Sequence, residues 1–206
     1  MSVVRTTDAA EAAELVASGG RLRRHAHDMQ ALVPGEATAT GWLRSELPSH
    51  LLLAPVDRPV VEIACASLLA YPAGHVDAAQ AASEAEAVAV YERLIDGHTA
   101  GPLVHEVSAL VLDDVTGAVA AALLVTAMPA AAWWNGGPWL CDLFVVPAQR
   151  GVGLGRHLLE VMFARCAECG YERVGLSVTD GNPAERLYRA VGFERCRSVF
   201  VIDTGS

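Results

Sequence analysis

Lysine is missing from this chain of 206 residues: all 15 basic positions are arginine. That excludes Schiff-base chemistry and a P-loop lysine, and with the abundance of alanine it points to a GC-biased, bacterial genome. Positive charge is scarce as well. The formal net charge is −9 and the longest basic run is RLRR at residues 21–24, so nucleic acid held through phosphate contacts is not an expected partner. The first twenty residues lack an apolar h-region and carry Arg5, Asp8, Glu11 and Glu14, so no secretory signal is read. Residues 115–141 lack charge, yet Pro129, Asn135, Gly136, Gly137 and Pro138 interrupt them; a buried strand and loop fit better than a membrane span. The 5 cysteines are odd in number and lie in apolar contexts, so reduced thiols in a cytoplasmic protein are expected. Cys166 and Cys169 form a CxxC without a second pair at zinc spacing, and no metal is expected.

What is present describes a folded chain. Hydrophobic residues make up 52% and charged residues 19%, enough for one domain with a sizeable core and an extension. The expected division is an N-terminal extension over residues 1–47 and a main domain over 48–206. Residues 8–18 read as a helix capped by Asp8 and stopped by Gly19 and Gly20. The segment RLRRHAHDMQALV is ambiguous, and GEATATG, residues 35–41, reads as a linker. After a strand at 50–56, Pro59 opens a helix that ends before Pro72, and a second helix covers 76–97. A hairpin turning at Thr116 and Gly117 follows, then a strand at 139–146, a helix at 154–169, a strand at 173–179, a helix after Asn182 and a last strand at 193–202. This order predicts an α/β (α+β) sheet protein with helices on its faces.

Residues 7–23, TDAAEAAELVASGGRLR, align without a gap on residues 179–195, TDGNPAERLYRAVGFER. Thr7/Thr179, Asp8/Asp180, Ala12/Ala184, Leu15/Leu187, Gly20/Gly192 and Arg23/Arg195 agree; Val16 stands at Tyr188 and Ala10 at Asn182. The N-terminus thus reads either as a copy of the last helix–strand unit or as a second capped helix similar by chance.

The segment FVVPAQRGVGLGRHLLEVMF, residues 144–163, holds glycines at 151, 153 and 155 between a strand and a helix. A Rossmann turn would need glycine where Arg156 stands, and a P-loop would need Lys-Ser/Thr. What remains is a turn rich in unobstructed backbone N–H groups at a helix N-terminus, suited to a phosphate or pyrophosphate.

Arg150-Gly151-Val152-Gly153-Leu154-Gly155 resembles the Q/R-x-x-G-x-G/A signature of the GNAT superfamily of acyl-CoA-dependent N-acetyltransferases. NPAERLYRAVGF, residues 182–193, is similar to its second signature, N-x-x-A-x-x-L-Y-x-x-x-G-F. The motif-level resemblance covers residues 140–202, and element order extends it back to about residue 50. It implies the GNAT fold, a mixed, mostly antiparallel sheet splayed between its fourth and fifth strands. It also implies acetyl-CoA as co-substrate, with the pyrophosphate on the N–H groups of Gly151, Val152, Gly153, Leu154 and Gly155, and Arg150 and Arg156 flanking the same cofactor site. The pantetheine arm would run beside Leu143, Phe144 and Val145, where a backbone N–H would face the thioester carbonyl. Asn182 would contact coenzyme A or cap its helix, and Tyr188 would protonate the departing thiolate.

Where many relatives carry a strand-four glutamate this sequence has Trp139, Leu140 and Cys141, so Asp142 is the nearest carboxylate; a water relay, or an amine arriving deprotonated, serves equally well as a base. His75 and Asp77 could bind or deprotonate an amine, and Trp133 and Trp134 could line its site, or all four could be loop capping and edge packing. His25 and His27 are expected to do no chemistry. The implied activity is direct transfer of acetyl to a small-molecule primary amine. The alternatives are a peptide or protein N-terminus as acceptor, or a non-catalytic acyl-CoA-binding module. Pairing of the N-terminal copy with another subunit's sheet would give a homodimer.

Overall fold

The structure, a computed structural model, describes residues 2–35, 47–72, 74–77 and 83–205. Past its first residue the expected linker lies outside these, as do residues 78–82 of the second expected central helix. The chain divides into two compact units, Met1–Ala31 with Gly175–Ser206, and Leu32–Val174.

The larger unit holds an antiparallel set of strands in the order β6-β5-β4-β3: β3 (Leu51–Ala54), β4 (Ala109–Asp113), β5 (Val119–Met128) and β6 (Gly137–Val145). Gly117, at φ +70°, closes the turn between β4 and β5, a backbone state that only glycine enters without strain. Residues 119–126 of β5 are all buried. Successive strand side chains point to opposite faces, so both faces of β5 are covered. Helices α2 (Val60–Ala70) and α3 (Glu84–Ile95) pack on each other, α2 reaching β5 and β6, and α4 (Leu154–Glu168) also packs on β5 and β6. Ile63, Tyr91, Leu94, Leu110, Leu124 and Phe144 lie in one core cluster. Helix α4 turns Leu154, Leu158, Leu159, Val161 and Met162 inward; each such side chain contributes about 1.5–3 kcal/mol, and truncating Leu158 to Ala costs about 2–5 kcal/mol.

The smaller unit is built from the two ends of the chain. Strand β1 (Val3–Thr6), helix α1 (Ala9–Ala17) and strand β2 (Arg21–Leu32) precede the larger unit; most of β7 (Arg173–Thr179), helix α5 (Ala184–Ala190) and β8 (Glu194–Asp203) follow it. The strand order is β1-β8-β2-β7, and β8 pairs antiparallel with β1 on one side and β2 on the other. The ambiguous segment is therefore a 12-residue strand, and β1 was not expected at all. Six polar residues in RLRRHAHD hide a strand whose consecutive residues Ala26 to Met29 are all buried, so no simple apolar–polar alternation marks it.

Candidate active site

Strand β6 delivers the chain to the glycine turn. Pro147–Gln149 forms one 3-10 turn, Gly151 and Gly153 both take φ +84°, and Gly153 sits at the N-cap of α4 with no side chain bonded to the helix end. The first-turn N–H groups of α4 have no intrahelical acceptors by geometry, and the positive end of the helix dipole adds to them. A Cβ built on either glycine meets nothing within 4 Å. Glycine is thus required for its backbone angle, and the space in front of the turn is open. Val152 is exposed.

The two flanking arginines take different parts. Arg150 donates through Nε to the Val145 carbonyl at 3.0 Å and through a terminal nitrogen to the Ala70 carbonyl at 2.5 Å, so its guanidinium staples the turn to the ends of β6 and α2. Arg156, half exposed, lies 3.7 Å from Glu160 one helical turn on.

Within β6 the register against β5 slips: Leu124 faces Asp142, and Val125 faces Leu140, so Cys141 is the extra residue of a β-bulge. A bulge bends its strand and re-aims nearby side chains. Here Asp142 sits beside the helices: Tyr71 donates its hydroxyl to Oδ1 at 2.5 Å and Tyr91 donates to Oδ2. Tyr71 also reaches the Leu143 carbonyl at 3.4 Å. Loss of hydration raises the Asp142 carboxyl above its ordinary range; the bonds from Tyr71 and Tyr91 oppose this, and the charge of Asp77 adds to it. Burial, then the Asp142 charge, raises the Tyr91 hydroxyl well above its usual value. The site is therefore a carboxylate whose pKa is raised by loss of hydration and which two phenols orient.

His75 and Asp77 stand at the edge of this group. The His75 ring lies 5.0 Å from that of Tyr71, and its Nδ1 accepts the Asp77 backbone N–H at 3.1 Å. An accepting Nδ1 assigns the proton of the neutral ring to Nε2. Trp133 and Trp134 instead pack with Trp139, ring centres 5.6 and 5.4 Å from it. Trp134 is buried, and its indole N–H has no partner among the described residues; the partly exposed Trp133 offers more surface.

In the smaller unit, Tyr188 on α5 is buried, its ring 6.0 Å from Phe193 in an edge-to-face pair. The structure starts α5 at Ala184, and Asn182 Oδ1 accepts the Ala184 N–H at 2.8 Å, so Asn182 supports the helix start from one position earlier than a standard N-cap. Leu143, Phe144 and Val145 form the end of β6 beside the bulge.

Sequence reasoning missed Tyr71 and Tyr91 as partners of Asp142. A signal was available: the chain has 4 tyrosines, and a tyrosine on a mostly apolar helix face must find an acceptor for its hydroxyl once buried.

The comparisons with known proteins bear on the fold and the family. The model of the acetyltransferase (GNAT) family matches residues 70–193. A GCN5-related N-acetyltransferase from Sphaerobacter thermophilus is 16% identical with a TM-score of 0.64, over 99% of this chain and 59% of its own. A GCN5-related N-acetyltransferase from Kribbella flavida is 19% identical with a TM-score of 0.53, over 95% of this chain and 64% of its own. A tandem GNAT protein from the clavulanic acid biosynthesis pathway is 17% identical with a TM-score of 0.58, over 99% of this chain and 63% of its own. At these identities the structural likeness speaks for the fold, and the chain spans about three fifths of each of these longer proteins. No helix among the described residues is long and apolar enough to cross a membrane. The family model covers more than half of the chain, from the end of α2 through the glycine turn to the start of β8, and the chain belongs to the acetyltransferase (GNAT) family.

Proposed function

We propose that the chain is an acetyl-CoA-dependent N-acetyltransferase that acetylates the primary amine of a small molecule by direct attack in a ternary complex. The observation that carries this reading is the turn at residues 150–154. Two glycines in left-handed geometry set an uncapped helix N-terminus directly behind β6, with open space before it. A diphosphate suits that place because several N–H donors and the helix dipole converge there. Acetyl-CoA supplies the activated acyl group as its thioester.

The chain's own residues take the following parts. N–H groups of Gly151, Val152, Gly153, Leu154, Gly155 and Arg156 hold the diphosphate, while Arg150 fixes the turn. A backbone N–H in Leu143, Phe144 or Val145 donates to the carbonyl oxygen as charge builds on it. The acceptor attacks as the neutral amine, and Asp142, with its raised pKa and two tyrosine partners, accepts the proton the nitrogen loses as it bonds the acyl carbon; the side chains of His75 and Asp77 help seat the acceptor. The carbon–sulfur bond breaks, and Tyr188 gives its hydroxyl proton to the leaving thiolate.

Isothermal titration with acetyl-CoA tests the first half: the wild-type chain should give saturable heat, and Gly153→Val, strained at φ +84°, should weaken it. Absence of heat removes the reading. Thiol release with a panel of amines tests the second. Release with small amines supports it, release with peptide N-termini alone moves the acceptor to peptides, and binding without release under any amine leaves a non-catalytic binding module.

A further inference from the structure

Two histidines set aside in the sequence share one face of β2, two residues apart, and meet an aspartate more than 150 positions later. His27 Nε2 lies 2.9 Å from Asp180 Oδ1 and His25 Nδ1 lies 3.4 Å from Asp180 Oδ2. One donor atom from each of the three falls within 4.8 Å of the others. We propose that His25, His27 and Asp180 form a binding site for a divalent transition metal of the zinc class, clamping β2 to the turn that leads into α5.

The donor set is right for such an ion: two imidazoles and a carboxylate leave a fourth position for water. Bonds of about 2.0–2.1 Å in a tetrahedron separate neighbouring donors by roughly 3.3 Å; the 2.9 and 3.4 Å separations run to the two different oxygens of Asp180, so the carboxylate meets the ion through both oxygens or turns one of them toward it. The rings are held in place. His27 is buried and its Nδ1 meets Ser198 Oγ at 3.2 Å, an outer partner of the kind that fixes a ligand's orientation. His25 is stacked on Phe200 with ring centres 4.5 Å apart, and its carbonyl accepts the Asp180 N–H at 2.9 Å. Asp180 is half exposed, which leaves its carboxylate room to adjust and the ion a way in. Arg195 comes within 3.9 Å of Asp180, yet its guanidinium is taken up by Glu185 at 2.6 and 2.5 Å, so its charge is already balanced.

The experiment uses the full chain stripped with a chelator, titrated with zinc chloride by calorimetry and with cobalt(II) by visible absorption. One zinc per chain is expected, with a cobalt spectrum free of thiolate charge-transfer bands. Asp180→Asn and His27→Gln should each weaken zinc binding about tenfold or more, while Cys169→Ser leaves it unchanged. The proposal is overturned if the wild type binds no zinc, if thiolate bands dominate, or if Asp180→Asn keeps full affinity. Because the Asp180 side chain is half exposed, that variant decides the matter even where His27→Gln does not fold.

Discussion

Residues 7–23 and 179–195 share letters at matched positions but spend them differently. In the first stretch Asp8 accepts the N–H groups of Ala10 and Glu11, as an N-cap should. Its counterpart Asp180 turns to His25 and His27, and Asn182, two residues later, supports the helix start. At the other end of the helix, Gly192 has φ +101° and open space, whereas the left-handed residue after α1 is Gly19, one place before the aligned Gly20. Gly20 is needed for another reason: a Cβ there would stand 2.7 Å from the Leu15 carbonyl oxygen and 3.0 Å from Ile202. Arg23 makes a half-exposed contact with Asp203, while Arg195 grips the buried Glu185, which faces Ala13 in the alignment. Similar spelling thus fixes a strand–helix–strand frame in both places, and side chains that differ give the two frames different partners.

Four experiments probe the contrast, beginning with the largest effect. Deleting residues 1–31 removes both neighbours of β8, so the shortened chain should fail to give folded protein by circular dichroism; a folded product that still binds acetyl-CoA would make the first stretch a mere appendage. Tyr188→Phe should lower kcat by about a hundredfold or more with acetyl-CoA affinity nearly unchanged, whereas Val16→Phe, at the aligned and exposed position, should leave kcat alone.

Hydrogen bonds from Arg195, opposed by some loss of hydration and helped by Arg189, hold the Glu185 carboxyl down at about 2. With its folded value below its unfolded one, Glu185 contributes stability above the ordinary carboxylate range, and that contribution is lost as pH falls through about 2. Glu185→Gln should therefore cost roughly 2 kcal/mol at pH 7 in urea denaturation and much less near pH 2, while Arg23→Ala should cost at most about 0.5 kcal/mol. Smallest is the cap: Asp8→Ala should cost about 1 kcal/mol, and Asp180→Ala should not show that loss of helix capping.

The glycine turn was legible because its geometry lies in the backbone. Gly151 and Gly153 announce their geometry by being glycine, and the neighbouring strand and helix follow from local periodicity. Helix α5 was legible from Asn182 and Pro183 at its start and Gly192 at its stop. Asp142 was visible as a carboxylate, but its setting depends on Tyr71 and Tyr91, which come from two helices and reach it only after packing. Strand β2 was obscured for a related reason: its charged residues find partners such as Asp203, Asp180 and, for Asp28, Arg197, all far away in the sequence. Local rules read what neighbours along the chain determine; they are silent about partners supplied by a distant strand.

Thr204 donates both its backbone N–H, at 3.0 Å, and its hydroxyl, at 3.2 Å, to the carbonyl of Ser2. Ser2, just before β1, and Thr204, just after β8, are thus fastened to each other. A short bridge could join them with little entropic loss, so a circularised or permuted variant should remain viable, and the whole unit could be spliced into a host loop without prising its strands apart.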